Sequence, residues 1–281
     1  MTLCVPDRYL GYRLRPGYSN RLYNINSLGF RGKEFSKKKE KGKIRVFCLG
    51  GSTTWGDSSS PIFIYPKLLD RMLRDKVNEN YEVINAGVAG YTSLQVKRYL
   101  ESEIVDYNPD FIIVAAGWND IGQSFRKDWT PQVTLNSIGN GFLENLAVYR
   151  LLKKSLLINS KIEYDYRRPN PEAIAFFKEN LTSMAETAKK KNIRLIFMEE
   201  PIAASNKEGF GNIQNITGFF PQLAGNDNIL NMIEEYKKYS AVIKNVAAQY
   251  RYPFTDSGLS LDCSSKKFFF MIYCTPPMME T

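Results

Sequence analysis

Three short apolar runs, Ile44–Leu49 (IRVFCL), Tyr81–Ile84 (YEVI) and Phe111–Ala116 (FIIVAA), each stop at a glycine-containing polar turn. The turns read LGGSTTWGD over Leu49–Asp57, NAGVAGYTS over Asn85–Ser93 and GWND over Gly117–Asp120. Between them the spacing changes to helical. Tyr65–Val77 carries Leu68, Leu69, Met72 and Leu73 as a core-facing stripe, and Leu94–Val105 forms a second amphipathic stretch that ends near Asn108-Pro109. Strand, turn and helix repeated in this order predict a parallel sheet whose three turns meet along one edge. Open α/β sheets place their sites at that carboxyl edge. The pattern continues with a helix over Pro171–Lys191, a strand over Ile193–Met198 closed by Glu199-Glu200-Pro201, a helix over Ile229–Tyr250 and a short strand over Tyr252–Thr255. We therefore expect one doubly wound, three-layer, flavodoxin-like α/β domain with a central parallel sheet of about five strands flanked by helices.

The first turn offers a serine directly after a glycine pair, at the end of a strand. A phosphate-cradling loop of the form GxxxxGK[ST] fits the spacing of Gly51 and Gly56, but Asp57 stands where the lysine belongs and would repel phosphate. The strained nucleophile elbow GxSxG fails because Thr54 occupies the last glycine position. A Gly-Ser turn without chemistry is the default for an isolated motif. The other two turns lie where an acyl-transfer site would need them, which favours a nucleophilic Ser52.

These residues resemble the SGNH (GDSL-type) hydrolase family. GGSTTWG matches its first block with Ser52 as nucleophile, NAGVAG its second with Gly90 giving a backbone N–H, and GWND its third with Asn119 giving a side-chain amide. Gly51 replaces the aspartate of the family's GDS, a position outside the triad. Taken singly, Asn119 reads as a turn-capping residue and Gly90 as a turn glycine. Trp55, Tyr91 and Trp118 flank the blocks and suit an acyl pocket or aromatic core packing equally. The resemblance implies a serine esterase acting on short acyl, notably acetyl, esters, on carbohydrate among other alcohols, with no cofactor or metal. Relatives with the same constellation transfer acetyl groups to polysaccharide instead, and an inactive carbohydrate-binding remnant is the non-enzyme alternative.

The family takes its general base from a fourth block, DxxHP, after the last strand. This chain contains no histidine. Its end, from Lys266 to Thr281, reads KKFFFMIYCTPPMMET. Lysine is a poor substitute, because an exposed lysine stays protonated near neutral pH. The genetic code gives a test of this tail. Read across the codon junctions from Met271/Ile272 onward, the most favourable shifted peptide is Asp-Leu-Leu-His-Pro-x-x-Asp-Gly-Asn. Both aspartates and the glycine are forced, and the histidine codon alternates only with tyrosine. A slip in the A- and T-rich codons of Lys266–Phe270 is therefore our hypothesis for the missing block, against a natural apolar tail.

Length and charge bound the remainder. With 281 residues and 43% hydrophobic content the chain can bury one good α/β core. No apolar run reaches membrane-spanning length, and the amino terminus lacks a signal-peptide pattern, so the chain as written reads as cytoplasmic, with an upstream envelope anchor as the alternative. The net charge of +9 is concentrated partly in Lys37–Lys43 (KKKEKGK), a solvated linker by composition, so nucleic acid is not an expected partner. Oligomeric state is not legible. Cys4, Cys48, Cys263 and Cys274 have no metal or redox spacing, and Cys48 belongs to a buried strand. We divide the chain into an extended lead-in of turns and a hairpin, residues 1–43, and a hydrolase-like domain, residues 44–281. Insertions are expected near 121–170 and 202–228, the first of them a candidate substrate rim.

Overall fold

The computed structural model describes residues 2–56, 64–131, 163–200 and 226–255. Asp57, the middle of the first insertion, residues 202–225 of the second, and the tail with Cys263, Cys274 and Lys266–Thr281 lie outside these residues. Each apolar run becomes a strand of one sheet: β3 (Ile44–Gly50), β4 (Tyr81–Gly87), β5 (Phe111–Ala115), β6 (Arg194–Met198) and β7 (Phe254–Thr255). The order is β4-β3-β5-β6-β7 and every pairing is parallel. Before them, β1 (Cys4–Asp7) and β2 (Gly11–Leu14) form an antiparallel hairpin.

Helices connect the strands: α1 (Ser52–Trp55), α2 (Tyr65–Lys76), α3 (Ser93–Ser102), α4 (Trp118–Ser124), α5 (Pro171–Lys190) and α6 (Asn226–Tyr250). Alternate residues of the strands, Phe47, Leu49, Ile84, Ile112, Val114, Leu195 and Phe197, share the main core with Val96, Leu100, Phe177, Leu181, Met184, Ile243 and Val246 of α3, α5 and α6. Burial of each such side chain stabilises the fold by about 1.5–3 kcal/mol relative to leaving it exposed. Among the described residues no helix is long and apolar enough to cross a membrane.

Several expectations need correction. β4 runs on to Gly87, so the first residues of the second block are strand rather than turn. The second helix ends at Ser102, and a separate 3-10 turn, Ile104–Tyr107, follows it, closed by Asn108 in the left-handed region. The stripe on α2 is not a core stripe. Pro66 is the buried residue of this helix, Leu68, Leu69 and Leu73 are half-buried and Met72 is exposed. Its main partner is β4, the edge strand, which is too narrow to cover the whole apolar face. α6 begins at Asn226, inside the range read as an insertion.

The basic stretch before β3 is not a free linker either. Lys39 bonds both oxygens of Asp110 at 2.7 Å, and Lys37 lies over the Tyr107 ring. The buried guanidinium of Arg45 gathers this end of the sheet. It donates to Glu82 and to the carbonyls of Ser36, Lys37 and Tyr107, while Asp110 accepts the Arg45 backbone N–H. Further into the lead-in, Asn26 caps its own turn by accepting from the N–H groups of Leu28 and Phe30. That turn seats Phe30 among Phe47, Tyr99 and Tyr107. The next residue, Arg31, donates its backbone N–H to the Asn85 carbonyl on the outer side of β4.

Candidate active site

The register of β3 with its two neighbours sets Gly50 beside Gly87 and Ala115, so the three strands that precede the three blocks end level with one another. α1 turns directly over these ends. A Cβ on Gly87 would stand 2.3 Å from the Trp55 nitrogen, and one on Gly50 2.2 Å from the Ala115 carbonyl oxygen. Glycine at both positions is what lets the turn settle there. Within the turn, Trp55 N–H donates to the Gly51 carbonyl and Gly56 N–H to that of Ser52. Ser52 is its first helical residue and half-buried, and a backbone N–H at that position has no acceptor within its own helix.

Asn119, the second residue of α4, lies against this turn. Its Nδ2 donates to the Tyr91 carbonyl at 2.9 Å, which uses one of its two N–H bonds. A Cβ on Gly51 would approach Asn119 Nδ2 to 2.7 Å and the Tyr91 oxygen to 3.2 Å. The residue before Ser52, the residue after Gly90 and the Asn119 amide therefore touch. The structure brings all three candidate residues to one place, Gly90 lying exposed beside Tyr91 with φ +85°. It also supplies a reason for the departure at Gly51: a side chain there would displace the Asn119 amide.

The lead-in hairpin holds the second block. Tyr12 donates its hydroxyl to the Ala89 carbonyl at 2.7 Å, Tyr91 donates to the Tyr12 carbonyl at 2.5 Å, and Gln95 Nε2 donates to the Leu10 carbonyl. Gln95 also completes a capping box with Thr92 at the start of α3. The open question about the aromatic residues is thereby resolved for two of them. Trp55 and Tyr91 are each 1% exposed and belong to the core, whereas half-buried Trp118 packs on Tyr236 at 5.4 Å.

Two buried acids complete the surroundings, and neither was assigned a role from the sequence. Asp120 accepts from the Ser93 N–H at 2.9 Å and from the Ser93 hydroxyl, whose oxygen in turn accepts from Asn180. Burial raises the Asp120 carboxyl to about 7, the Ser93 hydrogen bonds oppose that rise, and the neighbouring Glu200 carboxyl adds to it. Glu200, two residues beyond β6, accepts the Trp118 N–H at 3.0 Å; burial raises its pKa, and the Trp118 N–H and the Thr53 side chain oppose that rise. The available signal was positional. Both acids lie within five residues of the end of an apolar, buried strand, where a solvated charge is out of place. Among the described residues Ser52 Oγ makes no hydrogen bond to a base, and no cluster of His, Cys, Asp and Glu suited to a metal ion is present. The Cys48 thiol is fully buried, and burial pushes it up to about 12.

Comparison with known proteins bears on this arrangement. The chain resembles solved structures of a catalytic mutant of Axe2, an acetylxylan esterase from Geobacillus stearothermophilus (16% identity over 81% of this chain and 82% of that one, TM-score 0.48). It also resembles AlinE4, an SGNH-hydrolase family esterase (16%, 76% and 75%, TM-score 0.43), and TesA (16%, 75% and 76%, TM-score 0.43). No curated protein matches it. The model of the GDSL-like Lipase/Acylhydrolase family matches residues 48–269, which takes in all three blocks and most of the chain. With the strand ends, the serine turn and the asparagine amide placed as described, this chain belongs to the GDSL-like lipase/acylhydrolase family.

Proposed function

We propose that the site is built for acyl transfer from a short ester, with an O-acetylated carbohydrate as the substrate class, through Ser52. The contact among Gly51, Tyr91 and Asn119 supports this reading, because it brings parts of all three blocks together beside a serine. Ser52 Oγ would attack the acyl carbon, and the negative charge that develops on the carbonyl oxygen would be met by the N–H groups of Ser52 and Gly90 and the second N–H of Asn119. Loss of one such donor typically lowers turnover about 100- to 1000-fold. Water then releases the acyl group in a hydrolase, and a sugar hydroxyl in a transferase.

What the chain lacks is a histidine to take the proton of Ser52. A serine hydroxyl is a weak nucleophile without an adjacent base, and the chain has no histidine. In a serine protease, loss of the base alone costs on the order of a millionfold in turnover. We therefore expect the 281-residue chain to be a weak esterase at best, and its missing histidine favours a second reading, a binding protein on a hydrolase scaffold. Hydrolysis of a chromogenic acetate ester by the chain as given, by its Ser52→Ala variant and by a version carrying the shifted reading frame after Phe270 tests both. The esterase reading expects turnover in the frame-shifted version that Ser52→Ala removes. Robust Ser52-dependent turnover by the chain as given would overturn the claim that its base is missing. Absence of turnover in both, with acetylated oligosaccharide still bound, would favour the binding reading.

A further inference from the structure

We infer that Glu200 is a positioning residue for the oxyanion hole, a carboxyl that fastens the turn carrying Asn119 to the end of β6. This rests on the acyl-transfer reading above. Its Oε2 accepts the backbone N–H of Trp118, one residue before Asn119, at 3.0 Å. One buried side chain just beyond the end of β6 thus holds the first residue of α4.

The bond matches what each group needs. Trp118 is the first residue of α4, so its N–H has no acceptor within the helix, and a carboxylate there also suits the positive end of the helix. Glu200 is itself held. Its backbone carbonyl accepts from the Tyr236 hydroxyl at 2.7 Å, and the Tyr236 ring lies against Trp118. A second fastening runs from the same turn to the block that contains Gly90, because Asp120 takes both the N–H and the hydroxyl of Ser93. Asn119 therefore sits between two anchored neighbours, Trp118 tied to β6 and Asp120 tied to α3. Its one remaining freedom, side-chain rotation, is restrained by the bond to Tyr91. Oxyanion donors are effective when they are fixed before the charge forms, and the Glu200 bond fixes the backbone from which the Asn119 amide projects.

Two measurements on the full chain test this. In Glu200→Ala, nuclear magnetic resonance should show the Trp118 amide exchanging with solvent at least about tenfold faster, with the Asn119 side-chain amide signals displaced. Glu200→Gln, whose amide oxygen can accept the same N–H, should return both to near wild-type behaviour. Unchanged Trp118 and Asn119 signals in Glu200→Ala would overturn the assignment, and this readout needs no catalysis. The second measurement uses turnover of p-nitrophenyl acetate by the frame-shifted version. There Glu200→Ala should lower kcat about tenfold with little change in KM, and have almost no further effect when Asn119 is already alanine. Equal losses in both backgrounds would mean that Glu200 acts by some other route, and the proposal would fall. If Ser52→Ala left turnover unchanged, the acyl-transfer reading would fall separately, and the Trp118 and Asn119 signals would still decide whether the fastening exists.

Discussion

The two ends of the parallel sheet both bury charge, and they treat it differently. At the amino end the buried Arg45 guanidinium meets Glu82 at 2.7 Å and three backbone carbonyls, and Asp110 meets Lys39. At the carboxyl end Asp120 and Glu200 are buried too, but among the described residues no lysine or arginine pairs with either one. They are held by hydroxyl and N–H donors, and burial raises both above the ordinary carboxylate range. One end is neutralised and serves stability. The other keeps acids whose ionisation is opposed, which is a recurring mark of a functional site although structural networks show it as well.

The sharpest way to break this contrast is at the amino end. Arg45→Ala should lower unfolding free energy by about 3–5 kcal/mol, since it strands the buried side of Glu82 and three carbonyls. Urea denaturation measures it, and a loss under about 1 kcal/mol would show that the pairing is not structural. The carboxyl end should respond through pH. A carboxyl whose folded pKa lies above its unfolded value holds its proton in the folded state after the unfolded chain has lost it. Its contribution is thus present below the unfolded pKa and is lost as pH rises to the folded one, here from near 3.8 to about 7. Relative to Asp120→Asn, which keeps an acceptor for Ser93, the wild type should lose on the order of a few kcal/mol across that window. A constant difference between the two urea midpoints from pH 4 to 7 would remove the electrostatic half of the comparison.

Gly51→Asp, which restores the family's residue, should cost about 1–3 kcal/mol and shift the Asn119 amide signals, because the new Cβ meets Asn119 Nδ2. Preserved stability and unchanged signals would show that the turn has room to spare. The smallest effect belongs to Lys39→Ala, at most about 1 kcal/mol and reduced by salt, since the Asp110 carboxylate it pairs with is more than a third exposed.

The fold was legible because its information is local. Apolar strands, glycine turns and helical spacing recur in order, and the parallel five-stranded sheet follows from them. Ser52, Gly90 and Asn119 were legible through the blocks that carry them, although their proximity depends on register, which spacing alone does not specify. Glu200 was not legible. Its partner Trp118 lies 82 residues earlier, and the sequence shows only two acids before a proline. The role of Arg45 was not legible for a similar reason, since its partners in the lead-in and at Tyr107 come together only when the chain folds back over the strand. The stripe on α2 misled in the opposite direction, because periodicity reports which side of a helix is apolar but not how much surface exists to receive it.

The single bridge between Arg31 and Asn85 has a consequence for association. A parallel sheet that ends at β4 offers a row of unpaired backbone groups to any passing strand, including the same strand of another molecule. One residue of the lead-in pairs there, and the Arg31 side chain is turned inward onto Trp55 and Tyr23, which holds the lead-in against that row. The amino-terminal segment thus covers part of this edge, and a version trimmed back to β3 would expose it to pairing with its own copies.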